Sequence, residues 1–203
     1  LRTIKVSTPH TETGVVTITT NDEVTKADTV RVESTDNTVV ETVTQRADSA
    51  QNPNTSLATH YDSNGYATKT IGINPDVGNG TVETVTTDIV QNVVTTLLEN
   101  TDNTSEQTVV YNNPGVTTDF IQTRRTNGVL TKSITKDKPN VNNNDSVREF
   151  VNDVETSLQT TIVTETDNSA TESVYDTTVN KVVEIVNISA PDASHNNAIT
   201  VTT

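Results

Sequence analysis

The chain contains no cysteine, no methionine and no tryptophan. Without a thiol there is no disulfide, no thiolate metal site and no cysteine nucleophile. Aromatic residues are 3% of the chain and hydrophobic residues only 31%, so a single large core is excluded and thin, many-contact packing is expected. No run of 18 apolar residues occurs, so no membrane-spanning helix is expected. Positive charge is scarce: 13 basic against 27 acidic residues give a formal net charge of −14. That balance argues against a phosphate backbone as partner, which needs Lys and Arg patches, and fits a self-repelling, solvated surface. Helix signals are weak as well. Ser146 to Leu158 carries a capping pattern, with Glu149 three residues after Ser146, but it aligns with the Thr/Val-rich segment that starts at Thr81 and is read as strand.

What is present is β-branched. About one residue in five is Thr and about one in seven is Val, both stiff strand formers. The fold class expected is all-β. The chain is also repetitive. Thr35-Asp36-Asn37 returns as Thr101-Asp102-Asn103 and as Thr166-Asp167-Asn168, at spacings of 66 and 65 residues by subtraction. Upstream of the last two triplets, Thr81 to Thr101 aligns without a gap to Ser146 to Thr166, and Asp22, Asp88 and Asp153 fall at matching places. Asn64-Gly65 followed by Thr68-Lys69-Thr70-Ile71 returns as Asn127-Gly128 followed by Thr131-Lys132-Ser133-Ile134.

The landmarks read as turns. Asn-Gly between alternating runs predicts a type I′ hairpin, whose two central residues both need φ > 0. The Thr-Asp-Asn triplets predict a second reversal, and Asp22, Asp88 and Asp153 a third. Five strands per copy follow: A (Leu1 to Val6), B (Val15 to Thr20), C (Val24 to Glu33), D (Val39 to Gln45) and E (Ser56 to Tyr61). The expected architecture is tandem antiparallel Ig-like β-sandwich-type modules of about 65 residues stacked end to end. Repeat 1 spans 1–66, repeat 2 67–129 and a shortened repeat 3 130–178, with 179–203 opening a partial fourth. In the third copy Lys181-Val182-Val183 reads as strand A, which leaves the Asn-Gly hairpin and most of strand E missing. Gln51 to Asn54, Asn74 to Gly80 and Lys138 to Asp145 read as exposed loops.

Candidate chemistry is sparse. His10, His60 and His195 share no equivalent position, and no nucleophile-elbow, HExxH, P-loop or dinucleotide motif accompanies them; no enzymatic activity is expected. Six acidic turn residues form two matched sets, Asp22, Asp88 and Asp153 at one end of strand C and Asp36, Asp102 and Asp167 at the other. In a head-to-tail stack, carboxylates of adjacent copies would meet, and hard oxygens are what Ca²⁺ takes. Asn-x-Ser/Thr sequons at Asn54, Asn79, Asn103, Asn144 and Asn187 are candidate glycosylation sites. Lys69 and Lys132, at matching strand positions, are candidates for an isopeptide crosslink, or more simply for charges that blunt a sheet edge.

The chain resembles the stalk repeats of bacterial and archaeal surface adhesins and fibres, through its tandem copies, its Thr/Val/Asn/Asp strands and its missing Cys and Trp. The resemblance covers the whole chain and singles out no one family. It implies an extracellular, cell-surface structural protein: a subunit or stalk segment of a fibre, sheath or adhesin. Leu1 at the start, in place of Met, suggests an upstream segment removed, either a signal peptide or the rest of a longer array. A homopolymer is the expected partnership, formed by strand exchange through Leu1 to Ser7 or Ile188 to Thr203. The alternative is a secreted glycan-binding β-sandwich module with surface glycans as partners, for which only Tyr61, Tyr66, Tyr111, Tyr175, Phe120 and Phe150 are available as platforms.

Overall fold

A computed structural model describes residues 2–23, 27–35, 39–46, 55–76, 78–139, 144–192 and 200–203. The described residues form sixteen β-strands and no helix. They fall into two compact units, Leu1–Asp102 and Asn103–Thr203. The first unit holds β1 (Arg2–Val6), β2 (Val16–Asp22), β3 (Ala27–Glu33), β4 (Val39–Arg46), β5 (Thr55–Tyr61), β6 (Ala67–Asp76), β7 (Thr81–Asp88) and β8 (Val93–Glu99). The second holds β9 (Thr104–Tyr111), β10 (Thr118–Thr126), β11 (Val129–Asp137), β12 (Val147–Asp153), β13 (Leu158–Thr164), β14 (Ala170–Asp176), β15 (Lys181–Ile188) and β16 (Val201–Thr202).

Within each unit every strand pairs antiparallel with its neighbours in sequence. Among the described residues, extensive contacts between elements run between consecutive strands. Each unit is therefore an antiparallel meander, and the facing second layer that a sandwich requires is not seen among the described residues. The reason lies in the alternation. Val16 and Ile18 of β2 share a face with Thr29 and Arg31 of β3, while Val30 and Val32 point to the other side. Apolar side chains divided between two faces leave neither face apolar enough to demand a partner layer from the same chain.

Packing is correspondingly thin. Val174 is the one hydrophobic side chain classed as buried among the described residues, at 9% exposure, and none lies below 2%. In β12 the side chains at Arg148 and Phe150 are exposed, while Val147, Glu149 and Val151 on the opposite face are half-buried. Val174 lies on that second face, between its cross-strand partners Thr160 and Glu184, with Val151 one strand further on. The second unit thus has a better-covered face, centred on Val174, and a more open one.

Three sequence expectations are revised by the register. Asn127 and Gly128 both have positive φ, 52° and 78°, and Thr126 pairs directly with Val129, as a type I′ hairpin requires. At the other Asn-Gly only Gly65 is left-handed, at φ 82°. There the loop is longer: the Asp62 carboxylate accepts the N–H groups of Asn64 and Tyr66, both at 2.9 Å, and a register shift follows between His60 and Tyr61. Second, the expected loop at Asn74 to Gly80 is strand as far as Asp76, with Asn74 opposite Glu83 and Pro75 opposite Val82. Third, the shortened third copy, read as lacking the Asn-Gly hairpin and most of strand E, places β15 directly beside β14. β15 pairs with β14 along Ala170–Asp176, the place that β5 takes beside β4 and β10 beside β9. The likeness of Lys181-Val182-Val183 to strand A does not decide its position; the short turn from Asp176, closed by left-handed Asn180 at φ 56°, folds it straight back onto β14.

Candidate functional site

The recurrent residues sit at turns, and the same geometry recurs with them. Arg2 lies opposite Asp22, Lys69 opposite Asp88 and Lys132 opposite Asp153. The Asp in turn lies opposite the residue five positions on, Ala27, Val93 or Leu158. Each acidic turn residue of this set thus faces a basic side chain on the preceding strand. This placement corrects the edge role for the lysines: β6 and β11 are paired on both sides, so Lys69 and Lys132 blunt no edge.

The carboxylates of these turns are occupied by their own loops. Asp88 Oδ1 accepts the N–H of Gln91 at 2.8 Å and Asp153 Oδ1 that of Thr156 at 3.0 Å. One residue further on, Asn92 and Ser157 are left-handed, at φ 54° and 59°. Asp176 builds the same turn without having been singled out by the repeat: its Oδ1 accepts the N–H of Thr178 at 2.8 Å, the Thr178 hydroxyl at 2.5 Å and the N–H of Val179 at 3.3 Å. The signal that finds it is local, an Asp four residues before an Asn at the end of an alternating run. Asp167 accepts from Ser169, N–H at 2.9 Å and hydroxyl at 2.7 Å. The Thr156 backbone and hydroxyl hold the Asp153 carboxyl below its ordinary value of 3.8, with Lys132 adding a smaller effect. The Ser169 hydroxyl and N–H do so for Asp167, and the Thr178 hydroxyl and N–H for Asp176. Hydrogen bonds to the charged form are the common cause.

Within each unit the described acids of these sets lie apart. Asp22 ends β2 and Asp88 ends β7. Five places apart in an antiparallel meander, the two strands run opposite ways, so the two Asp residues lie on opposite edges of the first unit. In the second unit Asp153 and Asp167 lie at opposite ends of β13. Among the described residues no three of His, Asp or Glu come together as a metal ion would need. Asp36 lies outside the described residues. Asp102 is exposed at the end of the first unit.

The remaining candidates are dispersed. His10 Nδ1 accepts the Glu12 N–H at 3.4 Å, His60 stands opposite Lys69 on β5, and His195 lies outside the described residues. Of the sequons, Asn79, Asn103, Asn144 and Asn187 are exposed, and Asn54 lies outside the described residues. Asn187 accepts the Thr171 hydroxyl across the β14–β15 pair at 3.2 Å. A cleft of about 90 Å³ lined by Glu106, Gln122, Arg124, Lys132 and Ile134 is well below the roughly 300–1,000 Å³ of small-molecule sites. Glu106 fills much of its chemistry, accepting from Gln122 Nε2 at 2.7 Å and Arg124 at 3.2 Å.

The class these features define is an all-β antiparallel meander with recurrent acidic turns. No protein-family model, no curated protein and no solved structure matches the chain.

Proposed function

We propose that the chain is an extracellular structural protein, a subunit or stalk segment of a cell-surface fibre, sheath or adhesin, in which β modules of about 65 residues supply length and a repeated surface. The supporting observation is the recurrence of one register at five-strand intervals: Arg2 with Asp22, Lys69 with Asp88 and Lys132 with Asp153. A chain that spends its recurrent polar residues on closing turns, with no convergent set of reactive side chains among its described residues, suits a load-carrying or spacing role.

Growth by strand addition fits the same reading. Among the described residues β15 is paired on its far side only at Asn187 and Ile188, and its apolar Val182, Val183 and Ile185 are 50%, 48% and 51% exposed. An added strand there would satisfy backbone groups and cover those side chains. Negative-stain imaging of the purified protein tests the proposal. Filaments or regular bundles are expected, and deletion of residues 1–7 or of 188–203 is expected to abolish them while leaving a folded monomer. A monodisperse particle that binds defined oligosaccharides on a glycan array would replace this reading with that of a glycan-binding module.

A further inference from the structure

The two faces of the second unit differ in charge. Cross-strand partners share a face, so the register assigns each side chain. Glu106, Arg124, Lys132 and Asp153 form one continuous row across β9 to β12. On the face of that row lie the acids Glu106, Glu149, Asp153, Glu172, Asp176 and Glu184, the last three by pairing through Ile162, Leu158 and Val174. The opposite face carries Ser, Thr, Asn and Gln with Phe150, Tyr175 and Arg148. Across β12 to β15 it has no carboxylate, and alternation places Asp119 of β10 and Asp137 at the end of β11 on the rest of it. It is also the more open face: Arg148, Phe150, Thr171, Ile185 and Asn187 on it are all exposed.

We infer that this carboxylate-poor face is where two copies of the chain pack together, sheet against sheet. The charge balance selects the occupant. In a chain of net charge −14, most surfaces repel a second copy, and like charges brought together cost association free energy. This face brings no carboxylate of β12 to β15 against its copy, and it supplies Phe150 and Ile185 as apolar anchors. Its extent is sufficient. All seven strands, including the β10–β11 part that carries Asp119 and Asp137, give about 800 Å² per copy at ~4.8 Å spacing and ~24 Å of strand length, the area that a standard interface buries on each partner; the carboxylate-free strands β12 to β15 supply about 460 Å² of it. Aligned packing of two such sheets also provides the second layer that neither face finds within its own unit. The pairing is isologous and closes at two copies, so it stands apart from open-ended fibre growth and is tested separately from it.

The test is light scattering of the size-separated full chain, with residues 188–203 deleted in a parallel sample so that strand addition does not mask the result. The expected mass is twice the 21.9 kDa of one chain. Phe150→Glu and Asn187→Glu place a carboxylate on the open face and are each expected to halve that mass with an unchanged circular dichroism spectrum, whereas Glu172→Gln on the other face leaves it unaltered. Either substitution that unfolds the chain is replaced by Thr171→Glu, an exposed position on the same face. A wild-type chain that stays at the single-chain mass at about 100 µM, roughly 10 times the upper Kd of a micromolar contact, overturns the inference. So does a paired species that survives all three carboxylates.

Discussion

Lys132 on β11 stands directly opposite Asp153 on β12, and the Asp153 carboxylate accepts the N–H of Thr156 at 3.0 Å. The residue therefore belongs to its turn first and to its cross-strand partner second. An NMR titration of Asp153 checks the order. Thr156→Val, which removes a hydroxyl donor, is expected to raise the Asp153 pKa toward 3.8 more than Lys132→Gln does. Equal shifts, or a larger one from the lysine, would show that the cross-strand charge dominates.

The pH dependence of stability follows from the same carboxylates. Asp153, Asp167 and Asp176 have folded-state pKa values below the ordinary 3.8. The unfolded chain then binds protons before the folded one does. Their contribution is fully present above the unfolded value and is lost as pH falls through the lowered folded values. Tm is expected to be flat in this respect from pH 7 to about 5 and to decline below about 4. A variant carrying Asp153→Asn, Asp167→Asn and Asp176→Asn together should start lower and decline less. Parallel curves for the two proteins between pH 5 and 2.5 would sink the linkage.

Gly80 enters β7 at φ +66°, and a Cβ on it would lie 2.7 Å from Thr101 Cγ2. Gly14 repeats the arrangement against Thr35, also at φ +66°. In the third copy the corresponding residue is Asp145, left-handed at φ 59°. Gly80→Ala is expected to cost about 1–2 kcal/mol, or roughly 2–8 °C in Tm for a chain of this length. Asp145→Gly should raise Tm slightly, because it relieves a left-handed non-glycine residue. A Gly80→Ala protein that melts with the wild type would mean that Thr101 moves aside freely.

Side-chain truncation should report the unequal faces. Val174 is 9% exposed and Val182 50%. Val174→Ala is expected to destabilise by about 1.5–2.5 kcal/mol. Val182→Ala, measured as the monomer, should stay within about 0.5 kcal/mol. Urea midpoints for the pair give the comparison directly, and a cost for Val182→Ala equal to that for Val174→Ala would place the packing on the wrong side.

Strands and turns were legible in the sequence because their signals are local. Alternating Val or Ile and Thr mark β2 and β7, and Asn127-Gly128 names its own turn through the two left-handed positions it needs. Asn64-Gly65 carries the same dipeptide and forms a different loop, because Asp62 upstream supplies an acceptor that captures the N–H groups of Asn64 and Tyr66. The layering was not legible. Period-two alternation states which side chains share a face, but not what covers that face, and Thr on both faces removes the contrast that would have answered it. The acidic residues were legible as turn formers, but a carboxylate that closes a turn and one that meets a cation are the same letter; the hydrogen bond from the Gln91 N–H to Asp88 shows the first of these roles.

The strands that carry Asp22 and Asp88 run in opposite directions and present these residues on opposite faces, because five, an odd number, separates them. Within the first unit a binder that recognises such a turn from one side would therefore meet Asp22 or Asp88 but not both: the second turn lies five strands away, about 24 Å at ~4.8 Å per strand, and has to be approached from the other side.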